Sequence, residues 1–268
     1  MKRILAIALL VCAALAPLTA QTVRLRLATT TSTQDSGLLP ILNPPFEKLT
    51  GITVDIIAVG SGKAIALGQN GDVDVLLVHD RKAEDAFVAA GWGVNRRDVM
   101  HNDFVVVGPA EDPAKVAAAG SAADAFGRIA AAGATFVSRG DKSGTHVKEL
   151  DLWAQANVKP AAKWYKEVGQ SMGAVLTMSK DLGAYTLADR GTWLAMRDKL
   201  AGLKLLYAGD AFLFNPYGVI AVNPVKWPKA NYLAAMQYVA WLTSAEGQKI
   251  IRDYKVAGEQ LFFPDAVP

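Results

Sequence analysis

Val23, Leu25 and Leu27 alternate with Arg24 and Arg26, and this period of two predicts a strand that ends near Ala28. Residues 29–37 carry mostly hydroxyl, amide and carboxylate side chains, and an amphipathic stretch at 38–49, interrupted by Pro44 and Pro45, follows them. The unit reads as strand, polar loop, helix. It returns with a strand at 52–59, a turn at Gly60-Ser61-Gly62 and a short helix at 63–69, and again with 73–79 and 82–90. The stretch 73–79 is nearly all apolar, as expected of a parallel strand covered on both faces. Alternation of this kind predicts an α/β fold built on a mostly parallel sheet. Residues 104–107 add one more strand before Gly108 and Pro109.

Beyond Pro109 the pattern restarts, which predicts a second lobe: a helix at 121–132, a strand at 134–137, a polar loop at 138–145, and a helix to about 157. Further helices are expected at 174–182 and 187–200, with a strand at 203–207. The apolar, extended stretch 212–222 reads as the return crossing, because a long helix at 231–254 needs the first lobe to dock on. The expected organisation is residues 21–108 plus 220–268 in lobe 1 and 109–219 in lobe 2. Met236, Tyr238 and Trp241 in the last helix are read as core packing rather than a cofactor site.

The first twenty residues stand apart. Lys2 and Arg3 precede an apolar run at 4–15, followed by Pro17 and a small residue at Ala20, the layout of a cleavable signal peptide. The run is shorter than the roughly 20 residues of a bilayer-spanning helix. The only cysteine, Cys12, lies within it, after Val11 and far from its end, where a lipid anchor would need it. The expected mature chain, 21–268, therefore has no thiol for disulfides, thiolate metal sites or thiol catalysis. With 28 Lys and Arg against 25 Asp and Glu in the whole chain, nothing marks a nucleic-acid binder.

The chemistry concentrates in two loops, 29–37 and Ser138-Arg139-Gly140-Asp141-Lys142-Ser143-Gly144-Thr145, each following a strand and opening a helix. A helix start presents unpaired N–H groups and partial positive charge, so it suits anions. Hydroxyls donate to oxyanions, glycines allow close approach, and Arg139 offers a planar donor fork. Helix capping alone accounts for Ser and Thr in either loop. Two such loops in separate lobes, with a third donor turn at Gly60-Ser61-Gly62, point instead to an anion site between lobes.

Other motifs fail on spacing. Gly60-Ser61-Gly62-Lys63 lacks the length of a nucleotide-binding P-loop, and Ala64 stands where its metal-binding hydroxyl belongs. Arg139-Gly140-Asp141 spells an adhesion tripeptide, which occurs often by chance. His79, His101 and His146 show no metal-ligand spacing. A dyad of His79 with Ser61 or Ser143 would support a secreted phosphoesterase, but the Gly-x-Ser-x-Gly elbow is missing. Asp72 and Asp74 read as turn carboxylates.

The run Ala28-Thr29-Thr30-Thr31-Ser32, with Asp35-Ser36-Gly37-Leu38 after it, resembles the opening signature of the tungstate-binding components of bacterial ABC importers. Val59-Gly60-Ser61-Gly62, residues 74–79, the arginine loop 138–145 and Asn215-Pro216-Tyr217-Gly218-Val219-Ile220 resemble the same family. The resemblance implies a two-lobed periplasmic binding fold that closes on a tetrahedral oxyanion, without catalysis or cofactor. It implies a membrane permease as partner; the signal peptide implies a periplasmic location, and a monomer is expected. Carried onto matching positions, it assigns Thr30, Ser61, Arg139 and Thr145 as ligand contacts, with Thr31, Gly62, Ser143 and Gly144 beside them. The ligand would be held through its oxygens, not as a metal cation. Tungstate and molybdate are fully deprotonated near neutral pH and only accept hydrogen bonds, whereas phosphate keeps a proton that a carboxylate can accept. Asp141 facing the ligand would favour phosphate. Against a dianion it would be repelled, so it is expected to turn towards Arg139 or a helix N–H. Only the resemblance favours tungstate over molybdate.

Overall fold

The structure, a computed structural model, describes residues 22–266 apart from 161 and 162. The signal peptide expected at 1–20 lies outside the described residues.

In chain order the first elements are β1 (Val23–Thr30), α1 (Thr31–Asp35), α2 (Leu39–Thr50), β2 (Ile52–Val59), α3 (Ser61–Asn70), β3 (Val75–Val78), α4 (Arg81–Ala89) and β4 (Gly93–Pro109). Three strand-to-helix units thus appear where the pattern placed them. α2 runs through Pro44 and Pro45 rather than breaking there. Leu39, Leu42 and Phe46 are fully buried on one face. The carbonyls that lose their N–H partners belong to Pro40 and Ile41, on the exposed side, where water can serve them. Gly51 ends the helix in the left-handed conformation.

The next elements are α5 (Ala122–Ala131), β5 (Phe136–Ser138), α6 (Gly144–Gln155), β6 (Tyr165–Glu167), α7 (Met172–Leu182), β7 (Thr186–Asp189), α8 (Arg190–Met196) and β8 (Leu203–Tyr207). The stretch 187–200 is not one helix. Its first residues complete β7, and Asp189 then caps α8 by accepting from the Thr192 N–H at 2.8 Å. β9 (Phe214–Val222), α9 (Tyr232–Leu242), α10 (Ala245–Asp253), β10 (Lys255–Val256), β11 (Glu259–Gln260) and β12 (Phe263–Pro264) complete the chain. α9 and α10 replace the single long helix expected at 231–254. Ser244 divides them and caps α10 through the Gly247 N–H at 3.0 Å.

Two sheets share one strand. In the first, the order is β2-β1-β3-β9-β4-β12, with β1 parallel to β2 and β3, and β9 antiparallel to β3 and β4. The parallel strands are those joined by helical crossovers, while the antiparallel pairs arise where β9 returns between β3 and β4 and where β12 adds to the far edge of β4. β4 pairs with β9 up to Asp103 and, from Phe104 onward, with β7 and β8 of the second sheet. The alternating side chains of β4 feed different cores: Val105 and Val107 join the large cluster with Leu27, Val219 and Leu194, whereas Phe104 and Val106 join Phe126, Phe136 and Trp153. Only part of β4 was legible beforehand, because Asn95, Arg96, Arg97 and Asp98 break its apolar pattern. Among the described residues no helix is long and apolar enough to cross a membrane.

Candidate oxyanion site

β1, β2 and β3 run parallel, so the residues that follow their carboxyl ends converge at one edge of the first sheet. Thr30 ends β1, Gly60 and Ser61 follow β2, and His79 follows β3. Opposite them lies the loop after β5. Together these segments line a cavity of about 400 Å³ that includes all eight residues assigned from sequence: Thr30, Thr31, Ser61, Gly62, Arg139, Ser143, Gly144 and Thr145. The two sides touch. A Cβ on Gly144 would lie 3.1 Å from the His79 ring and 3.9 Å from the Ser61 hydroxyl, so a larger residue would wedge them apart.

Each loop is held by its own short-range bonds. Thr30 caps α1, its hydroxyl accepting from the Thr33 N–H at 3.3 Å. Ser143 caps α6, accepting from the His146 N–H at 3.4 Å. Gly140 and Lys142 both adopt left-handed backbone, at φ 58° and 60°. Gly140 is required there twice over, because a Cβ would also fall 2.8 Å from the Glu167 Cβ. Behind the loop, the buried Glu149 carboxylate accepts from Ser138 (2.7 Å), Tyr165 (2.7 Å) and Trp153 (3.1 Å). Burial raises its pKa while these three donors oppose the rise. The Ser138 hydroxyl oxygen in turn accepts from the Gly140 N–H at 3.2 Å.

Arg139 is fixed in place: its Nε donates to the Gln170 carbonyl at 3.2 Å, and a terminal nitrogen pairs with Asp141. Asp141 lines the cavity but is turned into the loop, where it also accepts from the Ser143 N–H at 3.0 Å. Burial alone would raise its pKa; the bonds from Ser143 and the charge of Arg139 outweigh that and hold it below the ordinary value. Its ionised form is therefore already committed to protein donors. Lys63 and Lys142 complete the cavity's cationic side.

Sequence reasoning missed Ser32, Lys63 and His79 as cavity residues. The signal was available for His79, which ends a parallel strand on the same edge as Thr30 and Ser61. His79 Nε2 approaches Thr30 Oγ1 (3.1 Å) and Ser32 Oγ (3.3 Å), and its Nδ1 approaches Asn215 Oδ1 (2.9 Å). Its hydrogen-bond partners do not include Ser61 or Ser143, so the hydrolase dyad is not formed. No group of three or more His, Cys, Asp or Glu among the described residues could hold a metal ion. A larger cavity of about 680 Å³ shares His79 and Gly144 with the first, but Phe104, Val147 and Phe214 give it apolar walls.

Two sheets joined by one long shared strand, with a donor-lined cavity where the two sides meet, define a solute-binding protein of the two-lobed kind. A family profile described as PBP superfamily domain matches residues 16–246. The chain is 56% identical over 251 residues to a putative ABC transporter anion-binding protein of Haloferax volcanii, covering 92% of this chain and 73% of that protein. It is 47% identical to the tungstate-binding protein TupA of Peptoclostridium acidaminophilum, covering 90% and 85%. Its fold is similar to the crystal structure of the tungstate ABC transporter from Geobacter sulfurreducens, with a TM-score of 0.80 and 58% identity over 86% of this chain and 98% of that one. The chain belongs to the PBP superfamily and, within it, to the family of the TupA proteins.

Proposed function

We propose that this protein captures a tetrahedral oxyanion, foremost tungstate, outside the cytoplasm and delivers it to the permease of an ABC importer. One observation carries the reading. The cavity gathers hydroxyls, backbone N–H groups and cationic side chains from both sides, and its single carboxylate, Asp141, is spent on Arg139 and the Ser143 N–H. Such a donor set suits an anion that only accepts. Thr30, Ser61, Arg139 and Thr145 are the proposed contacts, with Thr31, Gly62, Ser143 and Gly144 donating beside them. The names of the Peptoclostridium and Geobacter proteins support tungstate as the ligand.

In this reading the protein binds without turnover, works in the periplasm as a monomer, and changes state by approach of two lobes. On the same reading the first lobe hands over to the second between Asp103 and Phe104 and resumes at β9, a division that the change of strand partners supports. Calorimetric titration of the mature protein with tungstate, molybdate, sulfate and phosphate tests the proposal. Tight one-to-one binding of tungstate with weak response to sulfate and phosphate is expected. Preference for phosphate would mean that Asp141 accepts a ligand proton, and would overturn the donor-only site.

A further inference from the structure

His79 introduces an acceptor into a cavity otherwise rich in donors. The Asn215 side-chain nitrogen donates to Asn102 Oδ1 at 2.7 Å, which leaves its oxygen facing His79. An amide oxygen only accepts, so His79 Nδ1 carries a ring proton, and in the neutral ring Nε2 presents a lone pair. That lone pair lies within reach of two hydroxyls, Thr30 and Ser32, which are themselves 3.1 Å apart. Thr30 is also 2.7 Å from the Thr33 hydroxyl. At least one of the protons that a dianion needs is thereby drawn towards the imidazole.

We propose that His79 is a positioning residue of the oxyanion site, and that an incoming dianion is accompanied by one proton from solvent onto Nε2. With Nε2 protonated, the imidazolium donates to Thr30 or Ser32, whose hydroxyl protons then turn to the ligand oxygens. The step adds one N–H bond and breaks no covalent bond in the protein. It also adds a positive charge beside the dianion. This inference rests on the oxyanion reading.

The surroundings suit a group held neutral until an anion arrives. Burial lowers the pKa of His79, and the Asn215 bond and the charges of Asp189 and Asp80 oppose that shift. Tyr217 lies tilted beside the ring, centroids 4.8 Å apart, without a charge. Across the cleft the ring lies against Gly144, and the larger cavity that it also lines carries Arg81, Lys82, Lys148 and Asp151. The other charged groups of the cavity are Lys63, Arg139, Asp141 and Lys142, of which Arg139 and Asp141 offset each other.

The test is calorimetry of the full mature protein with sodium tungstate at pH 6.5, 7.5 and 8.5, each in two buffers of different ionisation heat. Wild type should take up protons on binding, and its Kd should climb with pH by up to about tenfold per unit, the limit for one linked proton. His79→Gln, which keeps hydrogen bonding but cannot titrate, should bind with no proton uptake and a flat pH profile. Nitrogen-15 shifts of the wild-type imidazole should move to the doubly protonated range with tungstate, a readout independent of any variant. Tight binding without proton exchange, or equal exchange in the variant, would overturn the role of His79 and leave the ligand assignment standing. No tungstate binding at any pH would overturn both.

Discussion

Arg139 and Asp141 form an ion pair that is largely shielded by the loop around it. Removing the arginine takes away a charge-assisted donor and leaves Asp141 as an uncompensated anion in the cavity. Arg139→Ala should therefore weaken tungstate binding by about 1.5–3 kcal/mol, roughly ten- to a hundredfold in Kd. Asp141→Asn should behave differently. It relieves repulsion while loosening the arginine, so the two effects offset, and titration should show a change of less than about tenfold. A loss as large as that of Arg139→Ala would show that Asp141 holds the arginine more than it repels the ligand.

At the scale of elements, backbone geometry sets the site. Gly140→Ala must place a side chain at φ 58° and against Glu167, which costs about 1–2 kcal/mol for the backbone alone. A lower Tm and weaker oxyanion binding should appear together, because the same loop carries Arg139. Where β4 and β9 pack on α4, a buried ion pair joins Glu84 and Arg96 at 2.8 Å. Gly218 makes room for it, since a Cβ there would stand 2.3 Å from a Glu84 oxygen. Burial pushes Glu84 from the ordinary value of 4.5 up to about 7, more than Arg96 draws it down. A carboxyl whose pKa is higher folded than unfolded favours the folded state when protonated. Its contribution is full below about pH 4.5, falls as pH rises to 7, and is constant above. Thermal unfolding across pH 4–8 should show that decline, and Glu84→Gln should flatten it. These elements also mark how far sequence could be read. The strand–loop–helix units were legible because apolar periodicity and polar loops coincide. The length of β4 was hidden by the polar run Asn95, Arg96, Arg97 and Asp98 within it, and the left-handed Lys142 by its lack of any glycine signal.

For the whole molecule, the topology was legible as two lobes because the pattern restarts after Pro109. The mixed sheet was not, since strand direction depends on which distant segment returns to which edge. β9 lies between β3 and β4, pairing Leu76 with Ile220 and Asp103 with Phe214. Although β3 and β4 are neighbours in sequence, they are held apart by a strand made more than a hundred residues later. A growing chain therefore cannot close its first sheet until residue 222 has been synthesised, and everything before it must wait with open edges. Contacts so distant in sequence slow folding. A fragment ending at residue 210 should show helical content by circular dichroism without a cooperative melt, and should aggregate through the unfilled gap between β3 and β4. The seat reserved for β9 thus delays closure of the first sheet, and gives the chain an interval in which it is still threadable.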